Sequence, residues 1–207
     1  MPPATLAEQA ARQKHIEYLI KSLGDPDASA RRQAAQLLGE LQAVAAIDPL
    51  SALLFDPDPA TRKQAIQALN HMGAPAQVAL VMALQNPDGQ IRQEAAKGLG
   101  QLADPQTVNP LIIALRDPSD GVRSQAAYAL TRIGSPALDE LLACLSDPDA
   151  NIRWQTARIL GEIGDRRALP DLERVAREDR SVARGTGALV NVAEAARQAV
   201  EKIKRKA

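Results

Sequence analysis

Residues 147–165 read Asp147-Pro-Asp-Ala-Asn-Ile-Arg153, then Trp-Gln-Thr-Ala-Arg-Ile-Leu160, then Gly-Glu-Ile-Gly-Asp165. Proline after aspartate stops a preceding helix, and the Asp and Asn beside it can cap the next one. An apolar run with helical spacing follows, and a Gly-Asp turn closes it. The stretch is therefore one helix with its start and stop signals.

It is one of a series. Asp25-Pro-Asp-Ala-Ser-Ala-Arg31, Asp56-Pro-Asp-Pro-Ala-Thr-Arg62, Asn86-Pro-Asp-Gly-Gln-Ile-Arg92 and Asp117-Pro-Ser-Asp-Gly-Val-Arg123 precede it in the same register. From Arg31 to Arg62, Arg92, Arg123 and Arg153 the steps are 31, 30, 31 and 30. A sixth arginine, Arg184, comes 31 residues later in Glu178-Asp-Arg-Ser-Val-Ala-Arg184, where the proline is gone. A period of this length is the mark of a repeat architecture.

Each unit reads as two helices. The first runs from just before its arginine to Leu41, Met72, Leu102, Ile133 or Ile163. A turn follows, and the second helix ends at the next Asp-Pro. The turn is one residue shorter in the second and fourth units, which produces the 31/30 alternation. The expected fold is all-α: an α-solenoid of stacked helical hairpins with five full repeats, an N-terminal half-repeat and a degenerate C-terminal repeat. As domains this gives one solenoid over residues 1–207, with a capping helix at 4–24, repeats at 25–179 and an interrupted cap at 180–207. The final helix begins at Asn191-Val-Ala-Glu194, a capping signature.

With Leu160 (or Leu38, Leu69, Leu99, Leu130) at 0° and about 100° per residue, the residues three before and three after fall within about 60°. That is the buried stripe. The arginine seven residues earlier lands near 20°, so Arg31, Arg62, Arg92, Arg123 and Arg153 point inward and need partners. The aspartates of the Asp-Pro turns, with Asp104 and Asp165, are the available carboxylates. The column reads as a structural Asp–Arg ladder between repeats.

Composition agrees with a thin repeated core. Aromatic residues are only 2% of the chain: Trp154, Tyr18, Tyr128 and Phe55. Lysine plus arginine and aspartate plus glutamate balance at 25 each, which argues against a nucleic-acid partner. Residues 151–207 hold 13 basic and 8 acidic side chains, so the C-terminal end is basic by +5 and residues 1–150 are acidic by −5. One cysteine, Cys144, forms no disulfide framework. Neither a secretory signal nor a membrane-length apolar run is visible, so a cytoplasmic protein without a membrane partner is expected.

The pattern Asp-Pro-Asp-x-x-[Val/Ile]-Arg-x-x-Ala-Ala-x-x-Leu-Gly-x-[Leu/Ile]-Gly-Asp, best matched by residues 147–165, resembles the phycobilisome (PBS) lyase HEAT-like repeat family. The resemblance spans about residues 15–184. It implies a HEAT-type α-solenoid. It also implies that some relatives are subunits of bilin lyases acting on phycobiliproteins, while others are adaptors. A tetrapyrrole-handling member is expected to offer aromatic and cationic groups around a cavity.

No catalytic, cofactor or metal constellation stands out. Cys144 with His15 or His71 would need groups drawn from separate units, and Cys144 beside Leu141, Leu142 and Leu145 reads as a core thiol. Gly185-Thr-Gly187 lacks the context of a phosphate loop. Attention therefore falls on residues that do not repeat. Trp154 and Tyr128 lie on the outward side of adjacent first helices, with Arg158 nearby, and Arg174, Arg177 and Arg184 make the C-terminal end basic. These six are the candidate partner-binding residues, since exposed aromatics flanked by arginine anchor interfaces. The expected function is a non-catalytic protein-binding scaffold presenting a helical groove, with no cofactor. The alternative is a phycobilin lyase-type subunit.

Overall fold

The structure, a computed structural model, describes residues 5–184 and 189–206. It is an α-solenoid of helical hairpins, as the repeat predicts. The chain divides into two compact units, Met1–Gly98 and Leu99–Ala207.

In the first unit α1 (Leu6–Ser22) is followed by the hairpins α2 (Ala28–Glu40) with α3 (Ile47–Ala52) and α4 (Pro59–Met72) with α5 (Gln77–Ala83). The division falls inside α6 (Gly89–Leu102). The second unit continues through α7 (Val108–Ala114), α8 (Asp120–Ile133), α9 (Leu138–Cys144), α10 (Ala150–Ile163) and α11 (Leu169–Glu178). It ends in two short strands, β1 (Val182–Arg184) and β2 (Leu189–Asn191), and in α12 (Val192–Arg205). The first helix of every hairpin ends within a residue of the position read from the sequence. The second is shorter than expected, because a single 3-10 turn such as Ala74–Ala76 or Ser135–Ala137 precedes it.

Local chemistry explains each start. In every Asp-Pro turn the leading Asp or Asn side chain accepts the N–H two residues on: Asp25 from Asp27, Asp56 from Asp58, Asn86 from Asp88, Asp117 from Ser119, Asp147 from Asp149. Asp179 does the same for Ser181, where the proline is missing. In four of these five turns the second acidic residue then caps the helix, as Asp58 does for Thr61 at 2.8 Å and Asp149 for Asn151 at 2.8 Å; Ser119, which stands in its place before α8, makes no side-chain cap bond. Leu38, Leu69, Leu99, Leu130 and Leu160 are fully buried.

The 31/30 alternation resides in the turn after the first helix. Gln42, Gly73, Ala103, Gly134 and Gly164 all have positive φ. After Gln42, Ala103 and Gly164 one further residue precedes the 3-10 turn; after Gly73 and Gly134 none does. The shorter turn is made by Gly73 at φ 67, ψ −133 and Gly134 at φ 75, ψ −141. Only glycine enters that region at little steric cost.

One element was not expected. β1 and β2 pair antiparallel, Ala183 opposite Val190, with Ala183 buried and Val192 N–H donating to Ser181 O. Arg184, sixth in the arginine column, thus sits in a strand rather than a helix. Gly185-Thr-Gly187 lies outside the described residues. No helix among the described residues is long and apolar enough to cross a membrane.

Candidate functional site

The first helices of successive hairpins approach through small residues. A Cβ added to Gly39 on α2 would lie 2.8 Å from Ala68 Cα on α4. Added to Gly161 on α10, it would lie 2.9 Å from Ala199 Cα on α12, and added to Gly100 on α6, 3.1 Å from Ala129 Cα on α8. Between α4 and α6 the roles are exchanged: Asn70 takes the first position and Gly98 leaves it room, the Asn70 Nδ2 donating to Glu94 O at 3.1 Å. Each of these four helix pairs has a glycine at the crossing. The positions equivalent to Gly39 and Ala68 on α8 and α10 are Thr131 and Ile159, and neither is small.

An opening of about 440 Å³ lies between α8 and α10, with Thr131 and Ile159 in its wall. The α4/α6 pair, where Asn70 is the larger residue, has a smaller hollow of about 240 Å³. Bulk at the crossing keeps side chains from interlocking, so the space follows from two residues.

Four of the six candidate residues meet in this opening: Tyr128 from α8, Trp154 and Arg158 from α10, and Arg184 from β1. Trp154 is half-buried, Tyr128 is 51% exposed, and Arg158 and Arg184 are exposed. The Arg158 guanidinium carbon stands 4.8 Å from the centre of the Trp154 ring, a cation–π distance. Arg132 Nη1 donates to the Tyr128 hydroxyl at 3.5 Å, at the limit of a hydrogen bond. Arg184 is held by its backbone, whose N–H donates to Asn151 Oδ1 at 2.6 Å. Arg174 and Arg177 are not in the wall; Arg174 pairs with Asp171 along α11 at 3.2 Å, and Arg177 is exposed on the same helix.

The charges in the wall are unevenly compensated. Arg123 is engaged by Asp120 and by the Asp117 and Pro118 carbonyls. Glu162 is engaged by Lys202, whose hydrogen bond, ahead of the opposing effect of burial, holds its carboxyl below the usual glutamate range. Among the described residues no carboxylate lies within ion-pair distance of Arg158 or Arg184. The sequence pointed to the aromatics and arginines but missed Thr131 and Ile159. Their signal was a Gly-Asn-Gly-Thr-Gly column at 39, 70, 100, 131 and 161, whose meaning depends on what faces it.

The arginine column has a different task. Each of its five members donates Nη1 to the carbonyl of its own Asp-Pro or Asn-Pro turn, as Arg31 does to Asp25 O at 2.8 Å and Arg92 to Asn86 O at 2.8 Å. Arg31 also forks onto Asp56 with two bonds of 2.8 Å, Arg62 onto Asp88, and Arg153 onto Asp179 and Ser181. Arg123 instead pairs with Asp120 on its own helix, while Asp147 is taken by Arg116. Asp104 and Asp165 take no part: Asp104 caps Gln106, and Asp165 holds Arg167. Where the leading turn residue is Asn86, Arg62 goes to Asp88 instead, and where Arg116 takes Asp147, Arg123 goes to Asp120.

Cys144, half-buried at the end of α9, has its thiol pushed up by burial, which makes it less nucleophilic. His15 and His71 are exposed in the first unit. Among the described residues no three His, Cys, Asp or Glu side chains group as metal ligands.

Comparison with known proteins agrees with this architecture. A family model described as HEAT repeats matches residues 16–88, 78–145 and 110–190. The chain is similar to a crystallised engineered protein at 22% identity and a TM-score of 0.50, over 92% of this chain and 98% of the other. It is also similar to a designed armadillo repeat protein in complex with the peptide (KR)4, at 19% identity and a TM-score of 0.51, over 91% and 99%. No curated protein matches it. Repeated Asp-Pro caps, hairpin stacking through a small-residue crossing and the family match lead to one assignment: the chain belongs to the HEAT-repeat family.

Proposed function

We propose that the protein is a non-catalytic scaffold that binds a protein partner, and that the α8/α10 opening is part of the binding surface. The observation that carries this is the convergence of Trp154, Tyr128, Arg158 and Arg184, which come from three elements, on one solvent-open cavity. Tryptophan, tyrosine and arginine are the residues in which interface energy concentrates. A HEAT-repeat chain has a rigid frame on which to hold them, and the similarly folded designed armadillo protein carries a peptide. The arginine column serves this function only by holding the frame, and Arg174 and Arg177 serve as outlying contacts.

The test is affinity capture from native extract with the wild type and with Trp154→Ala, followed by direct titration of the captured protein. Binding should weaken at least tenfold in the variant, because buried aromatic anchors contribute 2 kcal/mol or more, roughly, at such surfaces. A captured partner whose affinity ignores Trp154 and Tyr128 would remove the opening from the function.

The second reading, a bilin lyase-type subunit acting on phycobiliproteins, has one observation in its favour. Two of the four aromatic residues and three arginines line a single cavity. Co-expression with a bilin source and an apo-phycobiliprotein subunit, followed by absorbance, decides it; absence of chromophore transfer or release rules it out.

A further inference from the structure

We infer that the α8/α10 opening selects an acidic peptide segment carrying one apolar anchor residue. This rests on the protein-binding reading above and specifies the chemistry of the partner.

Three observations point to that occupant. The first is charge. Asp120 is paired with Arg123 and Glu162 with Lys202, Arg158 acting on Glu162 only through space, so Arg158 and Arg184 are the wall charges without an ion-pair partner, and both are positive. Guanidinium forks match carboxylates geometrically and bind them more strongly than neutral acceptors. The second is the apolar floor. Ile159 is buried and Trp154 half-buried, and Ala127 and Tyr128 line the same opening, so a side chain entering it leaves water and meets hydrocarbon and indole. The third is size. About 440 Å³ falls in the lower part of the range of about 300–1,000 Å³ that binding pockets occupy. The opening holds side chains of a peptide, not a helix or a domain.

The same wall disfavours nucleic acid. Asp120 and Glu162 lie in the wall and occupy Arg123 and Lys202 as ion-pair partners, so the opening offers a continuous phosphate backbone no unbroken basic track. A peptide avoids this by placing its carboxylates only at Arg158 and Arg184. The designed armadillo protein of similar fold is complexed with (KR)4, a basic peptide; the free charges here call for the opposite sign.

The opening itself is specified by Thr131 and Ile159, which stand where each of the four other helix pairs described has at least one glycine. They act by position: replacing them with the residues of the closed crossings removes the cavity while leaving every aromatic and arginine in place.

The experiment pans a random heptapeptide phage library against the full chain and then titrates the enriched peptides. Trp154 is the single tryptophan, so its emission reports occupancy directly. The expected consensus has two or more Asp or Glu around a Leu, Ile, Phe or Met. Its affinity should fall at raised salt, and by about tenfold or more in Arg158→Gln and in Arg184→Gln. Both arginines are exposed, so these variants fold. The double variant Thr131→Gly with Ile159→Ala should abolish binding and shift the emission of the free protein to the blue as the helices close over Trp154. A neutral or basic consensus that still depends on Trp154 overturns the acidic selectivity while leaving a protein-binding opening. No enriched peptide, or binding indifferent to all of these variants, overturns the inference. Preferential binding of an oligothymidylate in competition with the enriched peptides overturns it as well.

Discussion

The Arg158 guanidinium covers the Trp154 ring at 4.8 Å, one turn further along α10. An exposed pair of this kind contributes about 0.5–1 kcal/mol. Arg158→Ala is therefore expected to lower unfolding free energy by no more than about 1 kcal/mol in urea melts. The emission of Trp154 should move to the red as the indole loses its cover. An unchanged spectrum would mean that the pair does not persist in solution.

The turn glycines are not equivalent. A Cβ on Gly134 would meet nothing within 4 Å, so Gly134→Ala is penalised by backbone conformation alone. At φ 75, ψ −141 the cost is about 1–3 kcal/mol. Ala103, at φ 52, already bears a left-handed strain, and Ala103→Gly should stabilise by up to about 1 kcal/mol. Paired chemical melts check both signs; destabilisation by Ala103→Gly would contradict the assigned turn.

Glycine to alanine inside a helix normally stabilises by nearly 1 kcal/mol, roughly. Gly161→Ala should do the reverse, because its methyl would sit 2.9 Å from Ala199 Cα and push α12 away. Overpacking of this kind costs about 1–3 kcal/mol. The readout is a lowered midpoint in urea with faster proteolysis of the C-terminal helix. A raised midpoint would show that α10 and α12 are not in contact at that point.

Acid should loosen the repeat turns in a defined window. Burial pushes Asp56 and Asp179 up, but the hydrogen bonds from Arg31 and Arg153, with backbone N–H donors, outweigh it and hold both carboxyls below the usual range. The Thr61 hydroxyl, with Arg32, draws Asp58 down to about 2. A depressed folded pKa means that these carboxylates stabilise the fold above the unfolded value of about 3.9 and cease to as pH falls through the folded value. Thermal midpoints should be flat in this respect at neutral pH and drop from about pH 4 towards pH 2. Asp179→Asn should lower the midpoint at neutral pH and flatten part of that drop. A midpoint that falls between pH 7 and 5 would place the acid-sensitive groups elsewhere.

Much of the fold was legible because its causes are local. The Asp-Pro caps, the first helices and the buried leucine stripe depend on residues within one hairpin, and they recur often enough to reinforce one another. The 31/30 alternation was placed correctly in the turn, although its device, glycine at ψ near −140, needed backbone angles. The second helices were read too long, since a 3-10 turn and the first turn of an α-helix share the same residues. The β1/β2 pair was missed. Its three-residue strands have no periodicity to detect, and Ala183 is held by burial in the tertiary fold rather than by propensity.

The repeat, its register, the caps and the inward arginines follow from the order of residues alone, because each is decided by covalent geometry and hydrogen bonds within about ten positions. The partners of those arginines did not all follow: Arg31 reaches Asp56 of the next Asp-Pro turn as the ladder requires, while Arg123 turns to Asp120 on its own helix, according to which carboxylate packing brings near. Nor did the opening. Trp154, Tyr128, Arg158 and Arg184 are scattered over 57 positions, from 128 to 184, and nothing along the chain joins them. Only the packing of α8 on α10 does so, where Thr131 and Ile159 stand at a crossing whose counterparts carry a glycine. A threonine in a helix has no such meaning until a second helix is laid against it.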